Sequence, residues 1–267
     1  MRNPRWQPTL LIRASIVLHL LALLAVVAEA GYWRWALAAV LADQALLTLL
    51  GLWPRSHWLG PNWTRLPAAA AANNAIALTI DDGPDPSVTS RVLDMLDRHA
   101  AQATFFCVGE KAARYPELCR DIVRRGHCVE NHGQHHRHHF ALMGYSGFMR
   151  ELQLAQETLT AITGERPVFF RAPAGLRNPL LDPVLARLGL RLVSWSARGF
   201  DTRSGDVARV KNRLIGGLQA GAILLLHDGN AARTRDGIPV ILEVLPAVLA
   251  AARAADLRFI TLRQALS

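Results

Sequence analysis

The chain has 267 residues, 51% of them hydrophobic, enough for one large domain or two small ones around a sizeable core. Its formal charge of +9 rests almost wholly on arginine, but no run of four arginines occurs; this argues against a nucleic-acid groove and favours a juxtamembrane anionic surface. Cys107, Cys119 and Cys128 form no CxxC pair and are odd in number, which argues against a complete disulfide framework.

Residues 14–28 carry no charged side chain, and after Glu29 and Arg34 a second apolar run covers residues 35–53. A spanning helix needs roughly 17–25 residues. The second run is long enough, and the first becomes so if Arg13 extends toward the headgroups. Trp33, Trp35, Trp53 and Trp58 fall where interfacial anchors belong. Ala28-Glu29-Ala30 has the form of a signal-peptide cleavage site, yet cutting there leaves the second run in place. Asp43 and Gln44, inside that run, are expected to make a polar contact between the two helices. Arg2, Arg5 and Arg13 precede the first helix, whereas the turn carries only Arg34. The N-terminus is therefore expected in the cytoplasm, with two spans returning the rest of the chain to that side.

Residues 54–74 contain Pro54, Gly60, Pro61 and Pro67 and read as a linker between an anchor, 1–53, and a globular domain, 75–267. From residue 75 short apolar runs alternate with amphipathic stretches, the pattern of parallel β/α units. Strands are expected at 75–80, 104–108, 127–130, 168–171, 190–194, 222–226 and 259–261. Helices are expected at 87–99, 110–124, 146–163, 179–188, 206–220 and 239–255. Seven such strands suit either a barrel or an open doubly wound sheet; in both, chemistry gathers at the carboxyl ends of the strands.

Polar residues do cluster there: Asp81 and Asp82 after the first strand, His132 and His136 after the third, Arg171 after the fourth, Asp201 after the fifth, and His227-Asp228 after the sixth. A catalytic zinc commonly takes three N or O ligands, which two histidines four apart and one carboxylate can supply. His135, His138 and His139 stand close by, so the spacing alone does not select the pair. Adjacent strand residues point to opposite sides, so Asp81 and Asp82 are expected to differ in role, one on metal and one as base.

Five segments then occur in order: TIDDGPDP at 79–86, NHGQHH at 131–136, FRAPAG at 170–175, WSARGFD at 195–201 and LLH at 225–227. Together they resemble the motifs of the polysaccharide deacetylase family, carbohydrate esterase family four with its NodB-homology domain, in a membrane-anchored bacterial form. The resemblance covers residues 75–267 and implies an α/β fold, a deformed (β/α)7 barrel, here preceded by a transmembrane helical hairpin in the cytoplasmic (inner) membrane. By the same resemblance Asp82, His132 and His136 hold a divalent metal, zinc, and Asp81 is the general base, oriented by Arg171. His227 is the general acid, oriented by Asp201. Ala174 offers an oxyanion N–H, while Pro173, Trp195 and Leu225 shape the pocket. The implied reaction removes an N-acetyl or other N-acyl group, formyl included, from an amino-sugar in a polysaccharide or lipid-linked saccharide.

Some positions depart from the family pattern. Ala174 stands where tyrosine is usual, Ile80 where an aromatic is frequent, Arg198 where an acidic residue is common, and Thr202 where tryptophan is found. The altered fourth motif motivates an alternative, a metal- or carbohydrate-binding member with impaired catalysis.

Overall fold

The computed structural model describes residues 6–266; Arg2 and Arg5, counted above for orientation, lie outside them. Helix α1 (Leu10–Ala28) starts at Thr9, whose hydroxyl accepts from the Ile12 amide, and α2 (Trp33–Gly51) runs back beside it. Both helices are long and apolar enough to cross a membrane, and most of their surface is uncovered. Ser15 Oγ donates to Asp43 at 2.6 Å, and Gln44 Nε2 lies 3.3 Å from His19 Nε2. The polar residues of the second run thus do bridge the hairpin.

Both open ends of the hairpin are fastened to the rest of the protein. Trp6 Nε1 donates to Asp182 at 2.7 Å, Thr9 Oγ1 to the Trp58 carbonyl at 2.8 Å, and the Arg177 amide to the Gly51 carbonyl at 3.1 Å. Ile12, Leu47 and Leu59 close a small apolar cluster between them.

Residues 54–74 are packed against the barrel. Asn62 Nδ2 donates to the carbonyls of Pro54 and Ser56, Trp63 bridges to Val193, and the Leu66 amide donates to Gly221. The prolines set the turns, but Leu59, Trp63 and Leu66 anchor the path, and α3 (Ala68–Ala72) leads into the first strand.

The strands are β1 (Ala75–Asp81), β2 (Ala103–Cys107), β3 (Cys128–Asn131), β4 (Phe169–Phe170), β5 (Arg191–Leu192), β6 (Ala197–Arg198), β7 (Ile223–His227) and β8 (Arg258–Phe259). All their pairings are parallel, in the order β5-β4-β3-β2-β1-β7-β6, with β8 beside the start of β1. Residues 191–198 pair with β4 through β5 and with β7 through β6, so one extended segment closes the sheet on itself. The fold is the expected deformed (β/α)7 barrel. Two-residue β6 carries no apolar run of its own, which is why periodicity passed over it.

Alternation along the strands makes two cores. Ile76, Leu78, Ile80, Leu224 and Leu226 face outward onto the helices, whereas Ala75, Ala77, Phe106, Phe169, Val193 and Ile223 fill the barrel. The surrounding helices are α4 (Thr89–Arg98), α5 (Gly109–Arg114), α6 (Pro116–Arg124), α7 (Tyr145–Thr163), α8 (Leu181–Leu188), α9 (Val207–Ile215) and α10 (Val240–Ala254). The single helix expected at 110–124 is broken because Pro116 lacks an N–H and crowds the preceding turn. Similarly, α9 stops at Gly216 and Gly217, short of residue 220.

Candidate active site

Asp81 is the last residue of β1 and points into the barrel with Thr79, two residues before it. Strand alternation would send Asp82 to the helix side, but its φ of 71° turns the chain and brings its carboxylate back to the rim. Two adjacent acids thereby reach one site with different neighbours.

Arg171, 1% exposed, leaves β4 and spends its guanidinium on four acceptors. Nη1 donates to Asp81 Oδ1 at 2.7 Å and to Thr79 Oγ1 at 2.8 Å, Nη2 to the Ser194 carbonyl at 2.7 Å, and Nε to the Val193 carbonyl at 3.2 Å. Its face lies 4.3 Å from the Phe106 ring centroid. Such a fork fixes the position of Asp81.

Beside this pair, His132 Nε2 and His136 Nε2 approach the same Asp82 oxygen, Oδ1, at 3.1 and 3.0 Å. Their ligand atoms and that of Asp82 all lie within 4.8 Å of one another. His132 Nδ1 is 2.9 Å from the Arg171 carbonyl, an acceptor only, so Nδ1 carries a proton and Nε2 is the nitrogen turned to the cluster. Burial works against the charge of Asp82, yet the hydrogen bonds and fields of His132 and His136 hold it well below the usual carboxylate range. His135 is turned away and tied to Glu151 through both its amide, at 2.6 Å, and Nδ1, at 2.9 Å. His138 and His139 are exposed and absent from the cluster, which among the described residues is the only such group.

Across the rim, His227 ends β7. Asp201 Oδ2 accepts from its amide at 2.7 Å and Oδ1 from Nδ1 at 3.0 Å. Burial opposes the imidazolium, but Asp201, fully buried, outweighs it with charge and hydrogen bond and pushes His227 up to about 9. Asp228 points to the other side, where Thr89 Oγ1 donates to it at 2.5 Å. There burial pushes its carboxyl up to about 7.

Ala174 sits exposed in the loop after β4 with φ 55°, a left-handed conformation for a residue with a Cβ, while Pro173 is buried beside it. Leu225 is the register partner of Thr79 and is 1% exposed. Trp195 is buried, its ring centroid 6.0 Å from the Arg171 guanidinium.

The sequence profile described as polysaccharide deacetylase matches residues 68–193. A chitooligosaccharide deacetylase of Azorhizobium caulinodans is 38% identical over 159 residues, 58% of this chain and 74% of that protein. The chain belongs to the polysaccharide deacetylase family. Among solved structures, the Bc1960 peptidoglycan N-acetylglucosamine deacetylase superposes with a TM-score of 0.68 at 25% identity, covering 76% of this chain and 91% of that one. A family 4 acetyl xylan esterase from Clostridium thermocellum, in complex with a cobalt ion, gives 0.64 at 27% identity, covering 72% and 90%.

Three contacts in this polysaccharide deacetylase site escaped the sequence reading. Asn230, with φ 61°, donates from Nδ2 to Asp82 Oδ2 at 3.2 Å, leaving Oδ1 to the histidines. Lys111 Nζ donates to the Asp82 carbonyl at 2.8 Å and so props the left-handed turn. Thr79 relays between Arg171 and the Leu224 carbonyl, to which it donates at 2.6 Å. Thr79 lies within the first motif and on the inward face of its strand, a signal that could have found it; Asn230 and Lys111 carry none.

Proposed function

We propose that this protein hydrolyses the N-acyl group, acetyl by preference, of an amino-sugar at a membrane, using a divalent cation, zinc, held by Asp82, His132 and His136. The donor set fits: two imidazole nitrogens and one carboxylate oxygen converge, and the outer nitrogen of His132 is already committed to a backbone carbonyl. A cation in such a set supplies Lewis-acid polarisation of a carbonyl and acidifies water toward neutrality.

The observation that carries the reading is the pair of opposed charged couples flanking that cluster, Asp81 with Arg171 and His227 with Asp201. Asp81, held in place by the guanidinium, accepts the proton of the attacking water. His227, protonated through Asp201, gives the proton on Nε2 to the departing amine. Each positioned proton-transfer group typically contributes about 10²–10⁴-fold in rate. The Ala174 N–H serves the developing oxyanion, and Leu225, Pro173 and Trp195 wall the acyl pocket.

Turnover of N-acetylated chito-oligosaccharides tests this reading, and Asp201→Asn sharpens it. Activity that needs His227 protonated falls as pH rises through its pKa. Wild type should therefore lose kcat on an alkaline limb at or below about 9, since a neighbouring cation only lowers that value. Without the Asp201 charge, burial dominates and the limb moves to lower pH. A pH–rate profile unchanged by Asp201→Asn removes His227 from the acid role, and no turnover of any acylated amino-sugar removes the hydrolase reading.

We assign residues 1–53 to the anchor and 75–267 to the catalytic domain, on the cytoplasmic side of the inner membrane. The asymmetry of positive charge across the two candidate spans supports that side. A compartment-sensitive reporter fused to the C-terminus should report the cytoplasm; a periplasmic signal reverses the assignment.

A further inference from the structure

A cleft of about 600 Å³ opens beside the active-site rim where α2 leaves the hairpin, and its lining includes Trp53, Arg55, Trp195, Arg198, Phe200 and Arg213. Guanidinium groups and rings alternate through it. The Arg198 guanidinium lies 4.9 Å from the Trp195 centroid and 4.4 Å from that of Phe200, and the Arg213 guanidinium lies 5.0 Å from the Phe200 centroid. At the inner end the same Trp195 ring meets Arg171, the residue that holds Asp81. The ladder therefore runs from the site outward along a cleft that Trp53 and Arg55, just past the hairpin, also line.

The three cleft arginines lack counter-ions. None forms an ion pair with a carboxylate of the described residues; Arg55 reaches only the Ser196 carbonyl at 3.5 Å, and Arg198 Nε is buried without a hydrogen-bond partner. Asp201 and Asp81, whose fields reach Arg198, are committed to His227 and Arg171. Three guanidiniums lining one cleft without carboxylate partners suit an anion with several oxygens, and phosphate is the anion whose geometry they match. Position adds the second half of the case. A Cβ on Gly175 would fall 2.6 Å from Pro54 and 2.7 Å from the Trp195 ring, so the hairpin exit touches the loop that carries Ala174. Trp53, exposed just past the end of a candidate span, stands where an interfacial aromatic anchor belongs.

We propose that this cleft binds the phosphate or diphosphate of a lipid-linked amino-sugar, holding the sugar at the rim while the chain stays beside the hairpin. For the identity of the sugar this rests on the hydrolase reading above. Arg198, standing where the family commonly has an acid, turns the sign of the charge at the cleft's centre toward that ligand.

The test uses the full chain in neutral-detergent micelles with two ligands, N-acetylglucosamine joined to a long alkyl chain through a diphosphate and the same sugar as the simple alkyl glycoside. Dissociation constants are measured by calorimetry and turnover is followed in parallel. Wild type should bind the diphosphate about tenfold more tightly or better. Arg213→Gln and Arg55→Gln, both at exposed positions, should each cut that preference several-fold, Arg198→Gln should abolish most of it, and Arg213→Lys should restore part. Equal binding of the two ligands, or a preference that survives Arg55→Gln and Arg213→Gln together, overturns the proposal. Variants that lose only adhesion to phosphatidylglycerol vesicles, with the preference intact, also overturn it, and make the cleft a membrane contact. A diphosphate preference without turnover of either ligand would sink the hydrolase reading and leave the cleft; turnover without the preference does the reverse.

Discussion

Asp81→Asn is expected to lower kcat on an N-acetylated amino-sugar by about 10²–10⁴-fold while leaving bound metal in place. Asparagine keeps an oxygen for Arg171 Nη1, which now reaches Asp81 at 2.7 Å, so the rim should hold its shape. What disappears is the basic oxygen and its charge. That charge also supports the protonated form of His227, so the residual activity should show its alkaline limb at lower pH than wild type. Steady-state kinetics with metal analysis on the same sample decides the matter. Wild-type kcat in the variant would show that Asp81 is not the base.

Arg171→Met should damage stability and activity together. The substitution leaves Asp81, 3% exposed, as a buried charge without its partner, and strips donors from Thr79 and from the Val193 and Ser194 carbonyls. Breaking a buried ion pair in this way costs about 3–5 kcal/mol. For a domain of this size that lowers Tm on the order of 10 °C. The base also loses the Nη1 hydrogen bond that positions it, so turnover falls too. Thermal unfolding of the variant measures the first effect and steady-state kinetics at neutral pH the second. An unchanged Tm would mean that neither the ion pair nor the other hydrogen bonds of Arg171 stabilise the fold.

Much of this site was legible before any coordinates. Asp81, His132, Arg171 and His227 stand at strand ends because short apolar runs stop there, and the barrel brings all such ends to one rim. The hairpin was legible for the same reason, an apolar run of spanning length broken by Glu29 and Arg34. Three things were not. The φ of 71° at Asp82 is a consequence of the turn, supported by Lys111 and Asn230 from distant parts of the chain. The 54–74 segment advertised only its prolines, while its packing depends on where Leu59, Trp63 and Leu66 meet the barrel. The arginine–aromatic ladder joins residues 55, 195–200 and 213, and no local pattern links them. Pro116, by contrast, was in plain view inside an expected helix and should have divided it.

The account stands most directly on metal binding by the purified protein. After chelation and gel filtration, the full chain should take up one equivalent of Zn²⁺ per protomer in a calorimetric titration. His132→Ala and Asp82→Asn should each weaken that uptake by at least about tenfold, the usual scale even for the loss of groups that merely support a ligand. Uptake undiminished in both variants, or none in wild type, would contradict it.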